Sequence, residues 1–158
     1  MLDKFMKNLV LLIVLMLFTC GCPKAIEMNE VIVQVPESSK IGETFMAAVV
    51  AKPVDKIAGM QADLHFNPAM LEAQAVYWGD FIVAGEYFQA GEIDNENGTI
   101  TGFAVAHLGA GEYVDTEGIF LSVEFLVLQN GESHITLDNV ILGSMEGKAL
   151  PVVVHNGG

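Results

Sequence analysis

One segment, Ile57–Phe66, constrains the fold more than any other part of the chain. Its even-numbered positions from 60 to 66 are apolar, and its odd-numbered positions from 59 to 65 are polar or glycine. This period of two residues is typical of a β-strand with one face buried and the other in solvent. The Asn67-Pro68 pair ends the strand, because proline fixes its own φ and disfavours helix at the preceding residue.

Similar short strand patterns recur along the chain, with turn residues between them. Many short strands separated by Gly, Asn and Pro predict an all-β sandwich, and no sustained helical period appears after residue 22. Asn97-Gly98 predicts a tight hairpin, because both residues tolerate positive φ. The predicted strands are Val31–Val35, Thr44–Ala51, Ile57–Phe66, Leu71–Trp78, Glu86–Asp94, Thr99–His107, Gly118–Leu128, His134–Val140 and Leu150–Val154.

The N-terminus has the pattern of an export signal. Lys4 and Lys7 precede an apolar run, Leu9–Phe18, that is shorter than the roughly 17–25 residues needed to span a bilayer. Cys22 follows a glycine, as does the lipidated cysteine of a lipoprotein signal, and an uncleaved signal anchor is the alternative. We therefore predict a signal peptide with a lipidation site at Cys22 over residues 1–22, a linker over 23–30 and one domain over 31–158.

Composition excludes several classes of partner. The chain carries 20 Asp and Glu residues against 7 lysines, has no arginine and has a formal net charge of −13. Such a charge argues against nucleic acid and against adhesion to anionic lipid, so membrane contact is expected only through the N-terminal anchor. The 2 cysteines, Cys20 and Cys22, both precede the domain. The domain therefore has no disulfide and depends on its core.

No residue pattern indicates catalysis or a bound metal. The chain lacks a G-x-S-x-G nucleophile motif and a phosphate-binding glycine loop, and its histidines lack ligand spacing. Asp94–Asn97 resembles an oxygen-rich calcium loop but lacks the spaced ligands of an EF-hand, so it is interpreted as a solvated hairpin. We predict no catalytic residue, no metal ligand and no cofactor.

The predicted strand Thr99–His107 has an unusual outward face. Phe103 and Val105 are its bulky members and are expected to face the core. A solvated strand normally carries polar residues on its outer face, whereas the outward positions here are Ile100, Gly102, Ala104 and Ala106. Polar contacts beside them would come from Gln61, Asp63 and His65. A low apolar surface with a polar rim is typical of a protein interface, unless residues 85–90 cover it.

Tyr77 and Trp78 are the one aromatic pair that could stack on a sugar. Because sugar-binding faces generally use several coplanar aromatic rings, a single Trp makes a weak platform. A carbohydrate-binding module on the same sandwich is therefore the alternative function, with core or rim packing as the other interpretation of the pair.

Five motifs together resemble the cohesin domains of cellulosomal scaffolds. They occur in the family's order and at compatible spacing over nearly the whole predicted domain. They are Lys40-Ile41-Gly42-Glu43-Thr44, Phe66-Asn67-Pro68-Ala69-Met70-Leu71-Glu72, Asn97-Gly98-Thr99-Ile100, Thr116-Glu117-Gly118-Ile119-Phe120 and Ile135-Thr136-Leu137-Asp138-Asn139-Val140.

The resemblance implies a flattened jelly-roll β-sandwich of about nine strands that acts by binding and not by catalysis. Its implied partner is a dockerin, whose own EF-hand-like loops hold calcium, and the implied process is polysaccharide degradation at the cell surface. The partner is expected on the sheet with the third, fifth, sixth and eighth strands. The partner-binding residues there are expected to be Gly59, Gln61, Asp63, His65, Gly102, Ala104 and Ala106.

The sequence departs from the family pattern on the third strand and at the end of the chain. Many cohesins carry Asn and Asp at the outward positions that Gly59 and Gln61 occupy here, so the usual recognition residues are absent or altered. The family's turn that matches Asn156–Gly158 normally precedes a closing strand. We therefore expect either that the last edge strand is missing or that the sequence is a fragment or a shortened gene product, and in both cases an unpaired sheet edge would be left.

Overall fold

Alternating apolar side chains fold into two facing sheets. The computed structural model of the chain describes residues 27–83 and 87–158, so the predicted signal peptide, the Cys22 site and most of the linker lie outside the described residues. Within them, eleven strands occur and no helix is long and apolar enough to cross a membrane. The strands are β1 (Asn29–Gln34), β2 (Thr44–Lys52), β3 (Ile57–His65), β4 (Leu71–Trp78), β5 (Tyr87–Gln89), β6 (Glu92–Asp94), β7 (Thr99–Ala106), β8 (Gly118–Val127), β9 (Thr136–Ser144), β10 (Ala149–Leu150) and β11 (Val152–His155).

The two sheets form the predicted jelly-roll sandwich. Sheet A has the strand order β11-β1-β2-β8-β4, and sheet B has the order β10-β9-β3-β7-β5, with β6 also paired to β7. All of these pairs are antiparallel except β1 with β11, which is parallel. The predicted third, fifth, sixth and eighth strands correspond to β3, β5 with β6, β7 and β9. They share sheet B, as expected.

The space between the sheets is filled by aromatic and branched side chains. Phe125 on β8 is fully buried and lies between two other rings, at 5.7 Å from Phe45 and 5.1 Å from Phe66 between ring centroids. From sheet B, Met60, Ala62 and Leu64 point into the same core, as the alternation on β3 predicts. Burying one such large side chain contributes about 1.5–3 kcal/mol, so this layer supplies most of the driving force for folding.

Two of the nine predicted strands are each divided in the structure. The predicted strand Glu86–Asp94 becomes β5 and β6, with Gly91 between them, where a Cβ would lie 2.7 Å from the carbonyl oxygen of Thr101. The predicted strand Leu150–Val154 becomes β10 and β11, because Pro151 cannot donate a ladder hydrogen bond. The chain passes from sheet B to sheet A at Pro151.

The last predicted strand forms an edge of sheet A, and the expectation about a further strand after the Asn156–Gly158 turn stays a prediction. Val152–His155 pairs with β1 over the register Asn29↔Val152 to Ile32↔His155, and it forms the edge of sheet A. Gly157 then pairs with Ile135 through reciprocal backbone hydrogen bonds of 2.9 and 3.0 Å. The sequence pattern predicts one strand over Leu150–Val154, and it does not reveal that the second half of this segment joins sheet A.

Asn29 fixes the point at which the chain changes sheets. Its side chain is fully buried and makes four hydrogen bonds. Oδ1 accepts from the backbone N–H groups of Val54 and Asp55 at 2.9 and 3.1 Å, while Nδ2 donates to the carbonyl oxygen of Pro151 at 3.0 Å and to Asp55 Oδ2 at 2.9 Å. One amide therefore joins the start of β1, the β2–β3 connection and the β10–β11 crossing.

We expect Asn29→Ala to lower the free energy of unfolding by about 2 kcal/mol, because the backbone groups of Val54, Asp55 and Pro151 lose a fully buried hydrogen-bond partner. Urea denaturation followed by the fluorescence of Trp78, the single Trp of the chain, measures this loss. The control is Asn130→Ala, an exposed residue after β8 that should change stability by less than about 0.5 kcal/mol. Equal stability of Asn29→Ala and the wild type would contradict the assigned role.

Candidate functional site

The outer face of sheet B presents aligned side chains, because β9, β3, β7 and β5 are in register across it. At one end of the sheet, Gly59 lies opposite Gly143 on one side and Ala106 on the other, and Ala106 lies opposite Tyr87. These strands place only small or uncharged groups in this row. A Cβ at Gly59 would lie 3.3 Å from that of Ala106, so the row has little room for a larger residue.

The next row along the sheet is also uncharged. Gln61 lies opposite Ile141 on β9 and Ala104 on β7, and Ala104 lies opposite Gln89 on β5. Ile141 is 44% exposed, and Gln61 and Gln89 are exposed as well. The four smallest groups of these two rows form a low surface that we call the apolar plateau: Gly59, Gly143, Ala104 and Ala106.

The other end of the same face is polar. His65 lies opposite Thr136 on β9 and Thr99 on β7, and Thr99 lies opposite Asp94 on β6. Glu92, two residues earlier on β6, lies opposite Thr101. The face therefore changes from apolar to acidic along the strand direction.

Asp63 lies between the apolar end and the polar end of the face, and it forms hydrogen bonds to both neighbouring strands. Its Oδ1 accepts a hydrogen bond from the backbone N–H of Gly102 at 2.8 Å, and its Oδ2 accepts one from Asn139 Nδ2 at 2.6 Å. The register of β3 shifts by one residue against each neighbour at this point. Gly102 and Asn139 have φ of +82° and +50°, so each neighbouring strand carries a β-bulge beside Asp63.

The bulge on β7 corrects one sequence expectation. Ile100 was expected to face outward with Ala104 and Ala106, but it is fully buried. The extra residue at Thr101 and Gly102 reverses the alternation, so Ile100 points into the core and Thr101 is exposed. Asp63, which is predicted as a partner contact, also accepts a hydrogen bond within the chain at each of its carboxylate oxygens.

The other predicted site residues lie together. Gly59, Gln61, His65, Ala104 and Ala106 share the outer face of sheet B. Gly102 supplies the N–H that Asp63 binds.

Residues 87–89 do not cover the apolar surface, as the alternative interpretation of residues 85–90 would require. They pair side by side with β7 and widen the sheet, while residues 84–86 lie outside the described part of the chain.

Sequence reasoning missed two large residues that flank the plateau. Tyr87 is 46% exposed on β5, and Ile141 is 44% exposed on β9. Ile141 lay beyond the predicted end of its strand at Val140. Its outward position follows from the bulge at Asn139, which no local pattern predicts. Tyr87 lies on β5, which Gly91 separates from β6.

The predicted hairpin at Asp94–Asn97 is confirmed, and its hydrogen bonds favour the ionised form of the Asp94 carboxyl group. The side chain of Asn97 donates to Asp94 Oδ2 at 2.6 Å, and the backbone N–H groups of Asn97 and Glu96 donate to Oδ1 at 3.0 Å. Above all the hydrogen bond from the Asn97 side chain lowers the pKa of Asp94 from its usual value. Among residues 27–83 and 87–158, no three His, Cys, Asp or Glu side chains are grouped to hold a metal ion.

Tyr77 and Trp78 do not form a shared sugar-stacking platform. Trp78 packs edge-on against Phe88, Phe103 and Phe120, with ring centroids 4.9, 6.1 and 5.8 Å away. Tyr77 is 50% exposed on sheet A, where its hydroxyl donates to Glu124 Oε2 at 3.1 Å. Adjacent residues of a strand point to opposite faces, so the core-packing interpretation is correct for Trp78. The carbohydrate-binding alternative is therefore not favoured.

A family model described as the cohesin domain matches residues 30–158, which is most of the chain. The chain belongs to the cohesin family. No curated protein matches the sequence of this cohesin.

Solved structures of other cohesins share its fold. A non-cellulosomal cohesin from the hyperthermophilic archaeon Archaeoglobus fulgidus is 18% identical, with a TM-score of 0.66 over 83% of this chain and 88% of that chain. A type II cohesin module of an adaptor scaffoldin from Acetivibrio cellulolyticus is 16% identical, with a TM-score of 0.72 over 84% and 90%. A chain of a type I cohesin–dockerin complex from Clostridium thermocellum is 17% identical, with a TM-score of 0.69 over 87% and 95%.

Two motifs of this cohesin contact each other at the polar end of the face. The backbone N–H of Phe66 donates to the carbonyl oxygen of Gly98 at 2.8 Å. Gly98 has φ of +68°, and a Cβ there would clash with the carbonyl oxygen of Phe66. Only glycine fits this position, so the Asn-Gly hairpin and the Phe-Asn-Pro turn depend on each other.

We expect Asp63→Ala to lower the free energy of unfolding by about 2 kcal/mol, because Gly102 and Asn139 lose a charged hydrogen-bond acceptor. The amide of Gly102 should exchange its hydrogen faster, as measured by NMR hydrogen exchange. The control is Asp115→Ala, an exposed residue before β8, which should leave both quantities unchanged. Unchanged exchange at Gly102 in Asp63→Ala would rule out this role for the carboxylate.

Proposed function

We propose that this cohesin is a non-catalytic docking module that binds a dockerin-bearing partner through the outer face of sheet B. The observation that carries the proposal is the apolar plateau, which lies within two uncharged rows on the solvent-exposed side of the sheet. Membership in the cohesin family supports it, as do similar structures described as cohesin–dockerin complexes. Docking requires no reacting group.

The geometry of the plateau suits a helical partner. Ala104 and Ala106 extend only one carbon from the backbone, so a helix can approach the sheet closely there. Tyr87 and Ile141 stand on either side and can contact apolar side chains of that helix. Gln61, Asp63 and His65 provide polar groups for specificity, and Asp63 also holds the neighbouring strands in position. Calcium in the complex would belong to the dockerin.

We expect Ala104→Arg to weaken dockerin binding by at least about tenfold, because it places an unpaired charge in a desolvated patch. Isothermal titration with a dockerin that the wild type binds, in the presence of calcium, measures the affinity. The matched control is Ala48→Arg, because Ala48 is also a half-buried alanine in mid-strand but faces outward on sheet A, between Gln34 and Ser122. Unchanged affinity of a folded Ala104→Arg variant would contradict the proposed face.

Export and anchoring complete the proposal. The basic residues Lys4 and Lys7, the apolar run Leu9–Phe18 and Cys22 support secretion with a lipid on Cys22. Anchoring at the outer face of the membrane would display the dockerin-bearing partner at the cell surface. By analogy with cellulosomal members of the family, the process served would be polysaccharide degradation. One structural relative is itself described as non-cellulosomal, so this process belongs to the proposal alone.

We expect Cys22→Ala to abolish incorporation of a fatty-acid label and to release the protein from the membrane fraction, because the acyl chains are the only membrane contact proposed. Metabolic labelling of the full chain with an alkyne fatty acid measures the modification. The control is Cys20→Ala, which should retain the label. Labelling that survives Cys22→Ala and is lost in Cys20→Ala would place the lipid on the other cysteine.

A further inference from the structure

Along the strand direction, one half of the docking face is uncharged and the other half is acidic. We propose that this division selects dockerins whose contacting helix is apolar at one end and carries Lys or Arg at the other, and that it fixes the direction in which the helix lies. The inference rests on the proposed function, because it concerns the same face. It adds the chemistry of the partner and its orientation.

One half of the face carries no charge at the paired strand positions. Two rows cross sheet B there, one through Gly59 and one through Gln61. Their outward members are glycine, alanine, isoleucine, glutamine and tyrosine. The polar groups in these rows also contact each other, since the hydroxyl of Tyr87 donates to Gln89 Oε1 at 3.1 Å. A lysine or arginine of the partner would find no carboxylate at the described positions of these rows.

The other half carries carboxylates on both sides of β3. Glu92 and Asp94 face outward on β6, because Ile93 between them lies opposite the buried Ile100. Asp138 is exposed on β9, opposite Asp63. Asp138 therefore lies on one side of β3 and Glu92 and Asp94 lie on the other side, with His65 and Thr99 between them.

No described lysine lies on the strands of this half. Lys40 is in the β1–β2 connection, Lys52 is on β2, where it pairs with Glu117 at 3.4 Å, and Lys148 is in the β9–β10 hairpin. Lys56 lies just before β3, with its Nζ 4.2 Å from the ring centroid of Tyr113. The carboxylates of the acidic half therefore have no lysine partner within the described residues. The hydrogen bonds at Asp94 keep that carboxyl ionised.

This distribution favours one direction of a bound helix. Within about 10 Å at moderate salt, a partner cation over the acidic half is attracted, and complementary charge raises the association rate and suppresses incorrect partners. In the reversed direction the same cation would be buried over Ala104 and Ala106 without a counter-charge. Such an unpaired charge is a strong penalty against the wrong pose.

The test compares Glu92→Gln/Asp138→Asn with the wild type against a panel of purified dockerins that differ in charge along the exposed helix. Both substitutions keep the side-chain size, and the amide oxygen introduced at position 138 can still accept the hydrogen bond that Asp138 Oδ1 receives from the backbone N–H of Asn139. We expect the wild type to bind the basic members most tightly. The double variant should lose at least about tenfold in affinity for them at about 50 mM salt and no more than about twofold at about 500 mM salt.

The matched control is Glu72→Gln/Glu124→Gln, which removes the same charge from the outer face of sheet A. It should bind like the wild type at both salt concentrations. If the double variant on sheet B also binds like the wild type while Ala104→Arg fails to bind, the charge inference is wrong and the docking function stands. If the folded wild-type chain binds no dockerin of the panel, the docking function and the inference both fall.

Discussion

The carboxylate of Asp63 is the interaction on which the functional face depends. It lies in the central strand of sheet B and accepts one hydrogen bond from each neighbouring strand, from Gly102 on β7 and from Asn139 on β9. Each of those strands carries its extra residue at that point, so Asp63 sets which side chains on both sides of β3 face the core and which face solvent. Because a shift of one residue reverses a strand, the exposure of Thr101 and Ile141 and the burial of Ile100 all follow from one side chain.

The sequence predicts those features that depend on short-range patterns. The alternation on β3, the Asn67-Pro68 turn and the Asn97-Gly98 hairpin each follow from the steric limits of a few consecutive residues, and the structure contains all three. The bulges could not be predicted in the same way, since the group that stabilises them is on another strand, about 40 residues away for Gly102 and about 75 for Asn139. The predicted orientation of Ile100 was therefore wrong because the sequence does not show which strand lies beside β7.

The last predicted strand, Leu150–Val154, shows the same limit at the level of topology. Residues 150–154 have the pattern of one strand, and no local sign in the sequence indicates that Pro151 carries the chain from sheet B to sheet A. That crossing is stabilised by Asn29, which lies more than a hundred residues earlier. Its side chain accepts hydrogen bonds from backbone N–H groups of the β2–β3 connection and donates one to the carbonyl oxygen of Pro151. A buried asparagine with every hydrogen bond satisfied costs little and specifies one arrangement, whereas an alanine there would leave several backbone groups unpaired. Fold and site both depend on polar side chains that join distant strands.

These constraints also explain how a cohesin can keep its fold at under 20% identity to the structural relatives described above while its face changes. The positions that determine the fold point inward or bond across strands, as Gly98, Asn29 and Asp63 do. Exposed outward positions that make no such bond, such as Gln61, are free of that requirement, so they can change without loss of the sheet. Recognition must then come from what remains on the face. An uncharged half beside an acidic half distinguishes the two directions of a bound helix even where single polar contacts do not, because reversing the helix would bury a cation over alanine.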